Sequence, residues 1–167
     1  SNCVVEFPNS FGSGANPGYV EPIGTGGANY NLYAGNFDNV YYASAAATGN
    51  LFVVGNTGAT TGGTLYRIPV TNSVMGASVN ALGANNYLTA SGAYPWPSPL
   101  TEFCSGTCTT NGTITTGGGT DYVFFSVNQG NLGGCSATAG NGCVMSYNIT
   151  NPASPSLSGA QNYATPD

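Results

Sequence analysis

Apolar side chains recur at every second position along this chain, and nowhere do they hold the three-and-four spacing of an amphipathic helix. In Asn2-Cys3-Val4-Val5-Glu6-Phe7, Gly63-Thr64-Leu65-Tyr66-Arg67-Ile68 and Gly142-Cys143-Val144-Met145-Ser146-Tyr147, the pairs Val5/Phe7, Tyr66/Ile68 and Met145/Tyr147 flank a polar residue. Period-two alternation with one heavily buried face marks these three segments as strands. Nearly continuous apolar runs, Asn50–Asn56 and Asp121–Asn128, precede the second and third segments. Such runs read as central strands covered on both faces. Candidate first strands lie upstream at Asn39–Ser44 and Pro99–Phe103, and candidate fourth strands downstream at Ala84–Thr89 and Ala160–Thr165. Glycine interrupts every window long enough for a helix. The ten prolines sit in loops or at strand ends, as in Tyr94-Pro95-Trp96-Pro97-Ser98-Pro99. An all-β chain without helices is the expectation.

The repetition itself predicts an architecture. Val4, Leu65 and Val144 occupy matching positions, at spacings longer than the ~40–50 residues of common propeller repeats, with the excess in loops. The unit is about four short antiparallel strands joined by Gly/Asn/Thr-rich loops. The chain then holds about two and a half propeller-like units: a partial repeat over 1–29 and fuller ones over 30–90 and 91–167. Because the chain opens at a third strand, it is expected to be part of a longer protein or of an assembly in which other copies supply the missing strands. A bare strand edge at the N-terminus is otherwise adhesive.

The stretches Phe37–Tyr42, Gly49–Asn56, Thr64–Val70 and Asp121–Val127, the last followed by Cys135 and Gly142-Cys143, resemble a group of large, uncharacterised secreted bacterial proteins with propeller-like β repeats. The resemblance covers most of residues 1–150 and rests on structural motifs. It implies a secreted, blade-built protein longer than this chain, and it carries no catalytic residue. In that group a cysteine is frequent near the position of Val54, so one bridge is absent here.

Composition narrows the chemistry. Charged residues are 4% of the chain, with a net charge of −5, a single basic residue (Arg67) and no histidine. Ordinary globular domains carry about 25% charged residues. Without histidine there is no Ser-His-Asp or Cys-His machinery and no imidazole metal ligand. Without lysine there is neither a Schiff base nor a phosphate-gripping loop. Nucleic-acid binding, which relies on Lys and Arg releasing phosphate counterions, is excluded in practice. No apolar run approaches the ~20 residues of a membrane-spanning helix, so no membrane insertion is expected. Solubility must come from hydroxyl and amide groups or from attached glycans, and so weakly charged a surface favours self-association.

Five cysteines are present. Their spacing does not suit a zinc site. Bridges Cys135–Cys143 and Cys104–Cys108 would each close a short loop, contributing about 2–3 kcal/mol at most. They point to an oxidising, extracellular compartment. Cys3 matches Cys143, so its partner would lie in a preceding loop that this chain lacks.

The acids are Glu6, Glu21, Asp38, Glu102, Asp121 and Asp167. Two facing carboxylates could cleave a glycosidic bond, but Asp38 and Asp121 sit where Asp commonly satisfies turn amides. Glu6 and Arg67 share a strand position, which suggests an ion pair between repeats. No Asp-rich calcium loop is present. No cofactor, metal or enzymatic activity is therefore expected. Tyr94 and Trp96 form the best exposed candidate for sugar stacking. Asn111 and Asn148 head glycosylation sequons, Asn111-Gly112-Thr113 and Asn148-Ile149-Thr150. The functional expectation is an extracellular structural or surface-interaction module of a cell-surface protein or filament assembled through strand edges. The alternative is a carbohydrate-binding or carbohydrate-cleaving module.

Overall fold

A computed structural model of the chain describes residues 2–7, 18–24, 32, 34–56, 62–83, 88–89, 96–106, 109–110, 113–114, 119–130, 132–135 and 141–164. Thirteen strands lie within them: β1 (Cys3–Glu6), β2 (Tyr19–Pro22), β3 (Asn36–Phe37), β4 (Gly49–Asn56), β5 (Gly63–Thr71), β6 (Val74–Met75), β7 (Val79–Asn80), β8 (Thr101–Gly106), β9 (Thr109–Thr110), β10 (Thr113–Ile114), β11 (Gly119–Val127), β12 (Asn141–Asn148) and β13 (Ser156–Ala164). All the named strand pairs are antiparallel. The all-β expectation holds apart from one short helix, α1 (Asn39–Ala43).

That helix corrects the reading of Asn39–Ser44 as a strand. The preceding Asp38 is extended, and its carboxylate accepts a hydrogen bond from the Tyr41 amide, capping the turn. A local cap of this kind satisfies helix N-terminal amides and overrides the β preference of Val40 and the tyrosines. The first strand of the unit is instead the two-residue β3.

Two sheets are open meanders, β3-β4-β5-β6 with β7 also on β5, and β8-β11-β12-β13. A third ladder is the hairpin β1-β2. Ala160–Ala164 of the second fourth-strand candidate fall in β13, and Thr165 lies outside the described residues. In the first sheet the fourth position is taken by β6 and β7, while most of Ala84–Thr89 lies outside the described residues.

The ladders fix how the two central runs correspond. Leu51 faces Ile68 and Val123 faces Tyr147. Since Ile68 and Tyr147 match between β5 and β12, Leu51 corresponds to Val123. A slip of one residue exchanges the two faces of a strand, so this register fixes which side chains look which way. Leu51, Val53, Ile68 and Val70 share a core with Ile23, and Val4 packs against it. On the other side of the first sheet, Phe52, Val54 and Leu65 share a second core with Val123, Phe125, Met145 and Tyr147. Hairpin, first sheet and second sheet thus stack in constant phase. Val4 of the hairpin and Leu65 of the first sheet, at matching positions, both look onward to the next sheet.

Polar contacts pin each junction. Glu6 accepts from the Met75 amide at 2.8 Å, and Glu21 from the Ser78 amide at 2.6 Å. Arg67 donates to the Asn50 side chain at 3.1 Å, so the expected Glu6–Arg67 ion pair is replaced by two separate contacts. Both residues find nearer partners on neighbouring strands.

The expected double coverage of central strands holds for β4, which is buried at every position. It fails for β11, where burial alternates and Phe124 is 37% exposed. The second face of that sheet is open.

Candidate functional site

Where the two sheets meet, three carboxylates converge on the start of α1. Asp38 is 1% exposed, and its Oδ1 accepts from the amides of Tyr41 and Asn50, while Oδ2 accepts from the Asn50 side chain at 2.6 Å. Asn50 in turn accepts from Arg67. Gly49 is required beside this cap, because a Cβ there would stand 2.5 Å from both Asp38 Oδ1 and the Tyr41 nitrogen. Asp121, in the position that corresponds to Gly49, is also 1% exposed and reaches across the sheet junction to accept from the Asn39 amide at 3.0 Å.

Glu102 is diagonal to Asp121 across the β8–β11 ladder, where Glu102 faces Val123. Side chains so placed share a face. Burial, then the hydrogen bond and charge of Asp121, then the charge of Asp38, push the Glu102 carboxyl up to about 8. Burial raises Asp121 too, against the stabilising bonds from Glu102 and Asn39. The Oε1 of Glu102 and Oδ1 of Asp121 are buried without a hydrogen-bond partner. A proton kept on Glu102 gives this carboxyl pair the donor that two carboxylates lack.

The sign of the resulting pH dependence follows. Above its ordinary value of 4.5 the Glu102 carboxyl has lost its proton in the unfolded chain but keeps it in the folded one up to about pH 8. The folded state then binds more protons, so stability is highest in acid, falls as pH rises through this window and levels off above it. Glu102→Gln keeps a donor toward Asp121 without the titration. Thermal melts at pH 9 should show Glu102→Gln above wild type by roughly 2–4 °C, with the difference vanishing at pH 4. Equal pH slopes for the two proteins would contradict the proton kept on Glu102.

The seam is built for cohesion. Asp38 and Asp121 are consumed in capping and cross-sheet bonds, and no group of three His, Cys, Asp or Glu among the described residues is arranged to hold a metal ion. The sequence flagged each acid singly. It could not bring Glu102 to Asp38, since that meeting depends on how the sheets pack.

The remaining candidates are dispersed. Cys135 and Cys143 are bridged, with Cα atoms 5.8 Å apart, tying the β11–β12 loop to its strand. Cys104 is disulfide-bonded, and its expected partner Cys108 lies outside the described residues. Cys3 is a free, half-buried thiol. Trp96 is 52% exposed with φ +33° and borders a shallow hollow with Ser126, Asn128 and Val144. Tyr94 and Asn111 lie outside the described residues. Asn148 accepts from the Thr150 amide, and the Thr150 hydroxyl accepts from Asp121, so that sequon is folded into the sheet junction. The sequence missed the uncovered face of the second sheet, where Phe103 is 57%, Phe124 37% and Val144 40% exposed.

Together these features define an antiparallel β protein built by stacking sheets through apolar faces and capped polar seams. Comparison with family models, with curated proteins and with solved structures finds no match in any of the three. No helix among the described residues is long and apolar enough to cross a membrane.

Proposed function

We propose that this chain is an extracellular structural module of propeller-like β repeats, similar to those of large secreted bacterial proteins, which self-associates through its open β-structure. The observation that supports this reading most strongly is the stack itself. Hairpin and sheets are joined in one phase by extensive apolar cores, and the buried carboxylates serve as caps and cross-links. The Cys135–Cys143 bridge suits an oxidising compartment. A surface with so few charges offers little colloidal repulsion to association.

The edge of β1 is a natural point of growth. Among the described residues its one strand partner is β2. The Ile23 amide donates to the Asn2 carbonyl, and antiparallel alternation then leaves the amides of Cys3 and Val5 on the outer edge. Sedimentation velocity over a range of concentrations, combined with amide hydrogen exchange, tests the reading. Species should grow with concentration, and the Cys3 and Val5 amides should gain protection as they do so. A compact monomer at every concentration would overturn it.

A further inference from the structure

The constant phase of the stack assigns an occupant to the uncovered face of the second sheet. We propose that this face, carried by Phe103, Phe124 and Val144, docks the outer face of the β1-β2 hairpin of a second copy of this chain, giving a head-to-tail stack. The inference rests on the self-association proposed above and adds a face-to-face contact to the β1 edge named there.

The argument runs through matching positions. Val4 packs into the core between the hairpin and the first sheet. Its counterpart Leu65 is fully buried in the core between the first and second sheets. The next counterpart, Val144, is 40% exposed. The same holds one strand over, where Phe52 is fully buried and its counterpart Phe124 is 37% exposed. Among the described residues the onward faces of the hairpin and of the first sheet are therefore covered by the next ladder, and that of the second sheet is exposed.

What covers an onward face is also specified. Tyr66 and Ile68 of β5, and Met145 and Tyr147 of β12, look back at the preceding ladder. Their counterparts are Val5 in β1 and Phe7 just past its end. Phe7 is 48% exposed, and so is the cross-strand partner of Val5, Val20, at 47%. Among the described residues the chain thus carries an exposed onward face and, at Val20, an exposed backward position of the kinds that mate inside it. The onward face has a shallow hollow of about 220 Å³ where Gly159, opposite Ser146, leaves room beside Phe124, Val144 and Ala160. The Val5–Val20 pair is a suitable knob for it. Among the described residues neither surface bears a charged side chain: the carboxylates of Glu6 and Glu21 are turned inward onto Met75 and Ser78, and those of Glu102 and Asp121 toward the first sheet. Two different patches meeting head to tail propagate as an open array unless the rotation closes a ring.

Two variants test the pairing of surfaces. Phe103→Thr with Val144→Thr removes the onward face, and Phe7→Thr with Val20→Thr removes the backward face; threonine keeps strand preference in both. Circular dichroism and thermal melts establish that each is folded. In sedimentation, each variant alone, with its β1 edge intact, should need at least tenfold higher concentrations than wild type to assemble. An equimolar mixture should assemble at lower concentration than either variant alone, because each partner retains one working face. If both variants assemble like wild type while the Cys3 and Val5 amides become protected, the face pairing is wrong and edge assembly stands. If wild type never associates, the assembly reading and this inference fall together.

Discussion

Phe52→Ala should destabilise the chain by about 3–5 kcal/mol, measured by denaturant unfolding. Phe52 is fully buried in β4 and belongs to the core shared by both sheets. Its removal leaves a cavity between two rigid ladders that cannot close over it without breaking register. A typical domain is stable by only about 5–15 kcal/mol, so the loss is a large fraction of the whole. The matching substitution in the second sheet, Phe124→Ala, should cost about 1 kcal/mol or less in the dilute chain, because Phe124 already stands 37% exposed. Equal costs at the two sites would contradict the assignment of one face as covered and the other as open.

The second large effect is expected at Gly24, which follows the buried Ile23 at the end of β2. Its φ is +60°, and a Cβ would lie 1.9 Å from the backbone oxygen of Asn56 and 3.1 Å from the Tyr66 hydroxyl. Alanine is therefore opposed twice, by the left-handed backbone and by a contact that side-chain rotation cannot relieve. Gly24→Ala should cost about 3 kcal/mol and should act locally, lifting the hairpin from the first sheet. Hydrogen exchange reads this directly at the Met75 and Ser78 amides, which donate to Glu6 and Glu21. Faster exchange there, with the β11–β12 ladder unchanged, is the expected pattern. Unaltered exchange at both amides would show that the hairpin is not held by this close approach.

Much of this fold was legible in the alternation of the sequence. The third strands of the hairpin and of both sheets lie where Val5/Phe7, Tyr66/Ile68 and Met145/Tyr147 place them, because a two-residue period has few other solutions. The central runs were legible as strands but not in phase. Asn50–Asn56 and Asp121–Asn128 are apolar at almost every position, so nothing in them distinguishes one face from the other. Only the ladder partners Ile68 and Tyr147 set Leu51 against Val123. For the same reason the sequence could not tell that β4 is covered twice and β11 once. The helix α1 was hidden because its cause is a single cap by Asp38, set among residues that favour strands. The acidic seam was half visible. Asp38 plays its turn role, whereas its approach to Glu102 and Asp121, neighbours on the β8–β11 ladder, arises from packing between two sheets.

Solvent paramagnetic relaxation of methyl groups, measured on the dilute chain with an uncharged gadolinium probe, tests the central claim most directly. Val4, Leu65 and Val144 hold the same position in successive ladders. The stack predicts weak relaxation at Leu65, little more at Val4, and strong relaxation at Val144 that fades as concentration rises. A Val144 methyl as sheltered as Leu65 at the lowest concentration, or a Leu65 methyl as open as Val144, would contradict it.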